Sequence, residues 1–510
     1  MDESSVTVER ASAPSQGKFL AQASVNLISD GVTHACGLLG GFFLAKFLTP
    51  SLYGTIQGFK ILYAFVPFAS LGADSGTTVN IAIERGKSGE AAAQVVAGTG
   101  FWLYMVPQAI CCLCLVAWSL LGSPEAGWLR WGYAASAVSV FILALKQILS
   151  LILVGREQIR QRAIAGMVHG LMGLAATIPA AYFLGVPAFW LADWASSLAL
   201  LLLASAVGSS TLRLFSWEKA KAIYRSGFLI FIGGQIGVLL AQADRMVILG
   251  LLGTEALGYY GVGGVATRGL LVLGGAITAP WSPRVLRMLA AGQIEEVRKH
   301  NHDLAKALGW FGVYLAVYGG AFICLMVPWL LPKYLPAIPV SLIFVVPLPM
   351  VCCWYTASYV AFHFGWYGRM LLIGLLLVAD AFALDRWAVS QGWGITGIAG
   401  MTGLVQTIQA VTGLYLTWRL LGDSVGGCLL RMLGYLFPLA ALVLGVPVCY
   451  LAVLVFAPGG TVREVLATVA LFTAVTSPAL YGLGRDLELR TRARAALQSR
   501  GYLPPGPLSP

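Results

Sequence analysis

The chain has 510 residues, 58% of them hydrophobic and only 11% charged, whereas soluble domains run at about 45–50% apolar and about 25% charged. Apolar runs longer than about 18 residues recur throughout, which excludes a soluble globular domain and points to a polytopic membrane protein. The net charge of +11 reads as the positive-inside bias of such a protein and not as nucleic-acid affinity, so no nucleic-acid partner is expected.

In chain order, the opening "MDESSVTVERASAPSQG" has acidic and serine character and no apolar core. Residues 1–17 therefore read as a cytoplasmic lead and not a cleaved signal. The apolar segments that follow are continuous, not alternating, which predicts helices instead of barrel strands. Fourteen transmembrane helices are expected, at roughly 18–48, 55–83, 93–122, 132–155, 163–184, 188–210, 227–252, 256–283, 303–331, 336–364, 368–388, 393–418, 430–457 and 462–484. Connections after even-numbered spans collect arginine and lysine, from Arg85 and Lys87 through Arg284 and Arg287 to Arg419 and Arg431. The opposite connections hold only Lys46, Arg130, Lys333, Arg386 and Arg463. That alternation predicts an even number of spans with both termini cytoplasmic. The largest pieces outside the bilayer are the basic loop near residues 284–302 and the tail, residues 485–510, read as a short basic helix with a disordered end, "GYLPPGPLSP".

Two stretches echo each other. "FLTPSLYGTI" (Phe47–Ile56) and "LLGTEALGYY" (Leu251–Tyr260) each follow an odd-numbered span and turn into an even one, with Gly54 and Gly258 in register. The first twelve spans then form two pseudo-symmetric six-helix lobes, residues 18–225 and 226–420, and residues 421–484 add spans 13 and 14. Such internal repeats are common in secondary transporters, whose substrate path lies between the halves.

Several local patterns are decoys. "GVGGVA" (Gly261–Ala266) fits a loose dinucleotide fingerprint, but the glycines lie inside a membrane helix, where close helix packing is the better reading. "RGKSGE" (Arg85–Glu90) contains Gly-Lys-Ser without the upstream glycine of a phosphate loop and reads as a basic turn. The nine cysteines lie in apolar segments without histidine neighbours and read as small packing residues. His34, His169 and His363 are scattered singly. No carboxylate pair, nucleophile elbow or metal spacing stands out, and no enzyme is expected.

Ionisable residues inside spans cost about 2.5–3.5 kcal/mol on insertion scales, so those present face a partner or a wet interior. They are Asp30, Lys60, Asp74, Lys146, Asp244, Arg245, Arg268 and Asp380. Arg268 stands about twelve residues into its helix, roughly 18 Å deep at about 1.5 Å per residue and near the midplane. Asp244 and Arg245 are adjacent, point to different sides and cannot simply neutralise each other. Lys60 has the alternative of snorkelling to the outer mouth, and Lys146 and Asp380 of pairing between helices. If Lys60, Arg245 and Arg268 converge, with Lys146 as a further basic group, they make a cationic chamber suited to a phosphate or pyrophosphate. Asp30, Asp74 and Asp244 are left with two roles, holding a coupling H+ or Na+ or balancing cavity charge. No other cofactor and no structural metal is expected.

The segment "AKFLTPSLYGTIQGFKILYAFVPFASLGADSGTTVNIAI" resembles the opening of the polysaccharide flippase family within the multidrug/oligosaccharidyl-lipid/polysaccharide exporter superfamily. "ADRMVILGLLGTEALGYYGVGGVATRGLLVLGGAITAPWSPRVLRM", including Pro283-Arg284, is similar to the start of that family's second half. The resemblance implies two six-helix lobes in a V around a polar cavity, flipping an undecaprenyl-diphosphate-linked oligosaccharide from the cytoplasmic to the periplasmic leaflet of a bacterial inner membrane. It also implies that Lys60 and Arg268 line the cavity, and that spans 13 and 14 offer a groove for the lipid tail. Span 1 carries Asp30 where lipid II flippases place a basic residue, which favours an O-antigen, capsule or exopolysaccharide unit over a peptidoglycan precursor. The implied partners are the lipid-linked oligosaccharide, the lipid bilayer and the polysaccharide polymerase and export machinery. The alternatives are a multidrug efflux antiporter of the same superfamily, which carries cations, and a lipid II-type flippase.

Overall fold

The computed structural model describes residues 16–122, 127–278, 281–456 and 461–499, and all regular structure among them is helical. Most of the acidic lead and the Pro-rich end of the tail lie outside these residues. The first helix, α1 (Gln16–Phe47), packs along α5 (Ile159–Leu184). Helix α2 (Pro50–Ala64) starts sharply. Thr49 accepts a hydrogen bond from the Leu52 N–H, and Pro50 takes the first helical position, where its missing N–H costs nothing.

Span 2, expected as one helix over 55–83, is broken. After Ala64 the chain tightens into a 3-10 turn, Val66–Ser70, then passes through left-handed Leu71 (φ 48°) and Gly72 (φ 92°) before α3 (Ala73–Ala117) begins. Pro67 accounts for the stop, because its ring removes a donor from the continuing ladder. Helix α3 covers the end of span 2 and most of span 3, and bends at Gly89 (φ 84°), inside the basic turn "RGKSGE". Arg85 there pairs with Glu90 at 3.1 Å and donates to the Arg156 carbonyl at 2.7 Å, so the Gly-Lys-Ser element is a braced turn.

The first lobe continues through α4 (Trp128–Gly155) and α5, then a split span 6 made of α6 (Ala188–Ala195) and α7 (Leu198–Val207), with the single turn α8 (Ser209–Leu212). The second lobe opens with α9 (Trp217–Leu251) and α10 (Gly253–Thr278). The expected basic loop is itself helical: α11 (Trp281–Ala290) lays Val285, Met288 and Leu289 inward and exposes Leu286 and Arg287. Helix α12 (Ile294–Leu330) follows, then span 10 in three pieces, α13 (Ala337–Val345), α14 (Leu348–Trp354) and α15 (Ser358–His363), the first two bent by 41°. Helices α16 (Tyr367–Ser390) and α17 (Gly394–Leu420) complete the lobe. Helices α18 (Val425–Phe456) and α19 (Thr461–Ser499) pack on α12, and α19 runs on into the basic tail as one helix.

Among the described residues nine helices are long and apolar enough to cross a membrane, ten if the bent α13–α14 pair is one span. Fourteen spans are compatible with this; the breaks in spans 2 and 10 account for two of the difference, and α10, α16 and α17 are single helices of 26, 24 and 27 residues. In lipid, helices gain little from burying apolar surface and associate through close packing of small residues. The glycines serve this purpose: a Cβ on Gly98 would overlap the Thr211 carbonyl, and one on Gly312 would lie 2.7 Å from the Pro349 Cα. All nine cysteines are free, and Cys352 and Cys353 are fully buried packing residues.

Candidate transport site at the seam between the lobes

The two lobes meet along α2, α3, α9 and α10. At one end α2 crosses α10 at the echoed glycines. A Cβ on Gly54 would overlap the Thr254 carbonyl oxygen, and one on Gly258 would overlap the Pro50 carbonyl oxygen. Ser51 and Thr254 hydroxyls hydrogen-bond across the crossing at 3.2 Å. Gly261, the first residue of "GVGGVA", brings α10 so close to α2 that a Cβ would lie 2.8 Å from Gln57 Cγ, and a Cβ on Gly263 would lie 3.0 Å from Val340 Cγ1 of α13. These glycines are packing surfaces, as the sequence indicates. Tyr334, between α12 and α13, plugs the same end. Its ring meets Tyr53 and Tyr259 edge-on, and its hydroxyl donates to the Leu48 carbonyl at 3.3 Å. Burial pushes its phenol pKa up, so the hydroxyl stays neutral.

Beyond the break in span 2, α3 crosses α9 at the arginine-rich end. A Cβ on Gly76 would overlap the Ile223 carbonyl, and one on Gly227 the Gly72 carbonyl. Asn80 Nδ2 donates to Ser226 Oγ at 2.6 Å, and Glu84 pairs with Lys219 at 2.9 Å. Span 2 is thus clasped by α10 on its first segment and by α9 on its last, with the break between them as a joint.

Between the clasps lie Lys60 and Arg245. Arg245 is 6% exposed, its Nη1 donates to Gln242 Oε1 at 3.2 Å, and its buried Nε has no acceptor. It acts electrostatically on Tyr53 and Lys60 of α2, across the seam. Two cations from opposite lobes therefore share one neighbourhood, and a buried guanidinium donor there is unspent. Arg268 belongs to α10, about three turns beyond Gly258; its side chain lies outside the described residues.

The other expected site residues are placed elsewhere. Lys146 is inside the first lobe. Asp30, exposed on α1, lies 3.9 Å from Arg162 of α5. Asp74 opens α3 just after the break, where the helix N-terminus favours a carboxylate, and its Oδ1 is buried without a partner. Asp380 is exposed. Asp244 is buried: its Oδ1 accepts the Arg245 N–H at 2.7 Å, and its Oδ2 accepts the Tyr260 hydroxyl at 2.5 Å. That hydroxyl also lies 3.2 Å from Thr402 Oγ1 of α17.

Two further buried acids do not stand out in the sequence. Asp385 of α16 is 1% exposed, both its carboxylate oxygens lack partners, and it interacts with Asp244 and Tyr260. Asp193 of α6 interacts with both Lys60 and Lys146. Each stands close to an expected span end, where a carboxylate reads as interfacial. Asp244 has hydrogen-bond donors and Arg245 beside it, whereas neither carboxylate oxygen of Asp385 has a partner among the described residues.

The seam thus lies within an all-helical membrane bundle of two related lobes. The sequence model of the polysaccharide biosynthesis protein family matches residues 43–298, half of the chain, and the chain belongs to that family. No curated protein sequence matches it. Its fold is that of the MOP superfamily transporters. It is similar to the lipid II flippase MurJ in an inward closed conformation (13% identity, 89% of this chain and 99% of that chain, TM-score 0.63). An inward-facing multidrug resistance MATE family transporter of the MOP superfamily is also similar (14% identity, 81% of this chain and 98% of that chain, TM-score 0.61). So is a point mutant of the Vibrio cholerae MATE transporter VcmN (17% identity, 79% of this chain and 96% of that chain, TM-score 0.58).

Proposed function

We propose that this protein flips an undecaprenyl-diphosphate-linked oligosaccharide, an O-antigen, capsule or exopolysaccharide unit, across a bacterial inner membrane by alternating access. The observation that carries this reading is the buried Arg245 Nε, left without an acceptor at the seam in the electrostatic neighbourhood of Lys60 from the other lobe. Asp193 lies on the α6 side of Lys60 and Asp244 beside Arg245, so what favours an anion at the seam is the guanidinium donor left without an acceptor there. A diphosphate fits, because guanidinium forks grip phosphate oxygens bidentately. The headgroup enters from the arginine-rich, cytoplasmic end, the sugars stay in water, and the polyprenyl tail remains in lipid. Crossing hydrocarbon with a bare charge is prohibitive, so the polar seam is the path. An interior-negative potential favours the outward step by about 2.3 kcal/mol per charge per 100 mV.

The buried Asp244–Asp385 pair, with Tyr260 and Thr402, serves in this reading as the site of a coupling H+ or Na+, on the side of the seam that α16 and α17 cover. The same pair is what a multidrug exporter for cations requires, so the two readings differ in which charge the seam attracts. Replacing Lys60 or Arg245 by alanine, and Arg268 by alanine and then lysine, followed by an assay of polymer export, tests the proposal. Loss of export with normal membrane insertion is expected for each alanine variant, with partial recovery in Arg268→Lys. Normal export in all of them contradicts it.

A further inference from the structure

The interior of the first lobe holds a charge cluster that the seam does not use. Span 6 is interrupted between α6 and α7, at Ser196 and Ser197, and Asp193 sits in the last turn of α6. The irregularity is slight: both serines keep right-handed helical angles, and Ala188–Val207 remains one span. The Asp193 Oδ2 is buried and has no hydrogen-bond partner, while Ser139 of α4 supports the carboxyl from the other side. Lys60 of α2 and Lys146 of α4 both act on this carboxylate. His169 of α5 faces Lys146 and the Ser196 backbone, and Tyr63 of α2 adds a largely buried hydroxyl beside Asp193. These groups face Asp193 from α2, α4 and α5, and Arg245 acts on Lys60 from the seam.

Lys60 belongs to both neighbourhoods. Its Nζ lies 5.8 Å from the centre of the Phe189 ring. Phe189 is one turn before Asp193 on the same face of α6, so the ammonium rests over the helix that carries the acid, while Arg245 repels it from the seam. An anion at the seam reverses that balance and draws the ammonium away from α6. The carboxylate left behind is then a buried charge with an unpaired oxygen, which bears its full desolvation penalty.

We infer that Asp193 is the exchangeable counter-ion of Lys60: it restrains the Lys60 ammonium over α6, and takes up one proton when an anionic headgroup draws that ammonium to the seam. The one proton taken up converts the carboxylate to a carboxylic acid. Asp193 is thus a positioning residue for the anion grip and a proton-binding site of the first lobe. The inference rests on the anionic reading of the seam.

The test is the affinity of the full-length protein, in lipid nanodiscs, for farnesyl diphosphate across a pH series, for the wild type and Asp193→Asn. The titration of the diphosphate itself is common to both and cancels in the ratio of their affinities. Linked uptake of one proton weakens wild-type binding by up to about tenfold per pH unit as pH rises, relative to the variant, whose neutral carboxamide needs no proton. Equal pH dependence in the two proteins overturns the inference while leaving the anionic reading intact. Failure of both to bind the diphosphate overturns the reading itself. Lys146→Met provides a second arm that keeps the carboxyl. Removing this neighbouring cation raises the proton affinity of Asp193, so the pH-dependent range moves upward, and an unmoved range counts against the inference.

Discussion

Gly54 and Gly258 occupy equivalent places in the two lobes, and each leaves the room that the other's helix fills. The Thr254 carbonyl lies where a Gly54 side chain would be, and the Pro50 carbonyl lies where a Gly258 side chain would be. The same patch thus meets itself across the pseudo-twofold axis, as in an isologous interface. Because the obstacle is backbone, a side chain cannot be accommodated by a rotamer change. Gly54→Val and Gly258→Val should each force α2 and α10 apart and reduce export at least about tenfold with normal insertion. Spin-label distances across the crossing should widen. A Ser51→Cys, Thr254→Cys pair, replacing hydroxyls 3.2 Å apart, should cross-link under mild oxidation and arrest transport until reduced.

The joint in span 2 makes a separate prediction. Gly72 has φ 92°, and a Cβ there would lie 2.7 Å from the Gly227 carbonyl carbon. Gly72→Ala therefore adds a left-handed non-glycine strain of about 1–3 kcal/mol to a clash with α9. The expected result is a lower melting temperature in detergent and loosened contact between Asn80 and Ser226, read by cross-linking.

The buried acids of the second lobe predict cation dependence. Asp385→Asn removes a carboxyl whose two oxygens have no partner, while Asp244→Asn disturbs one bonded to Tyr260. Asp385→Asn should retain or gain thermal stability and lose the dependence of transport on H+ or Na+. Asp244→Asn should lose the same dependence and also stability. Unchanged cation dependence in both removes the pair from the coupling role.

Asp423, between α17 and α18, accepts a hydrogen bond from Arg431 at 2.6 Å and forms an ion pair with Arg298 at 3.1 Å. Arg431 also stacks over Trp418, 4.5 Å from its ring centre. The clamp ties α18 to α12. Hydrogen bonds to charged groups contribute about 1.5–3 kcal/mol each, so Asp423→Ala should lower stability by roughly that amount, measured as a melting shift, and release α18 before the lobes unfold.

Much of this is legible in the sequence because lipid leaves so few choices: apolar length gives spans, and the Gly54/Gly258 echo marks the crossing of the lobes. Asp244 is recognisable for the same reason, as an acid deep in a long apolar run. The breaks are less so. Pro67 signals the one in span 2, but Ser196 and Ser197 carry no such mark, and hydrophobicity is indifferent to whether a span is one helix or two. Asp193 and Asp385 escape sequence reasoning because depth along a sequence is measured from the span end, whereas burial depends on the neighbouring helices. Asp380, central in its span, faces outward, and Asp385, near the end, is enclosed.

The central claim is that the seam attracts anions. It is tested most directly by competition at the purified protein in nanodiscs between farnesyl diphosphate and a lipophilic cation such as tetraphenylphosphonium. The account predicts saturable diphosphate binding, weakened at least about tenfold by Lys60→Ala or Arg245→Ala and untouched by the cation. Preferential binding of the cation, strengthened by those same substitutions, would contradict it.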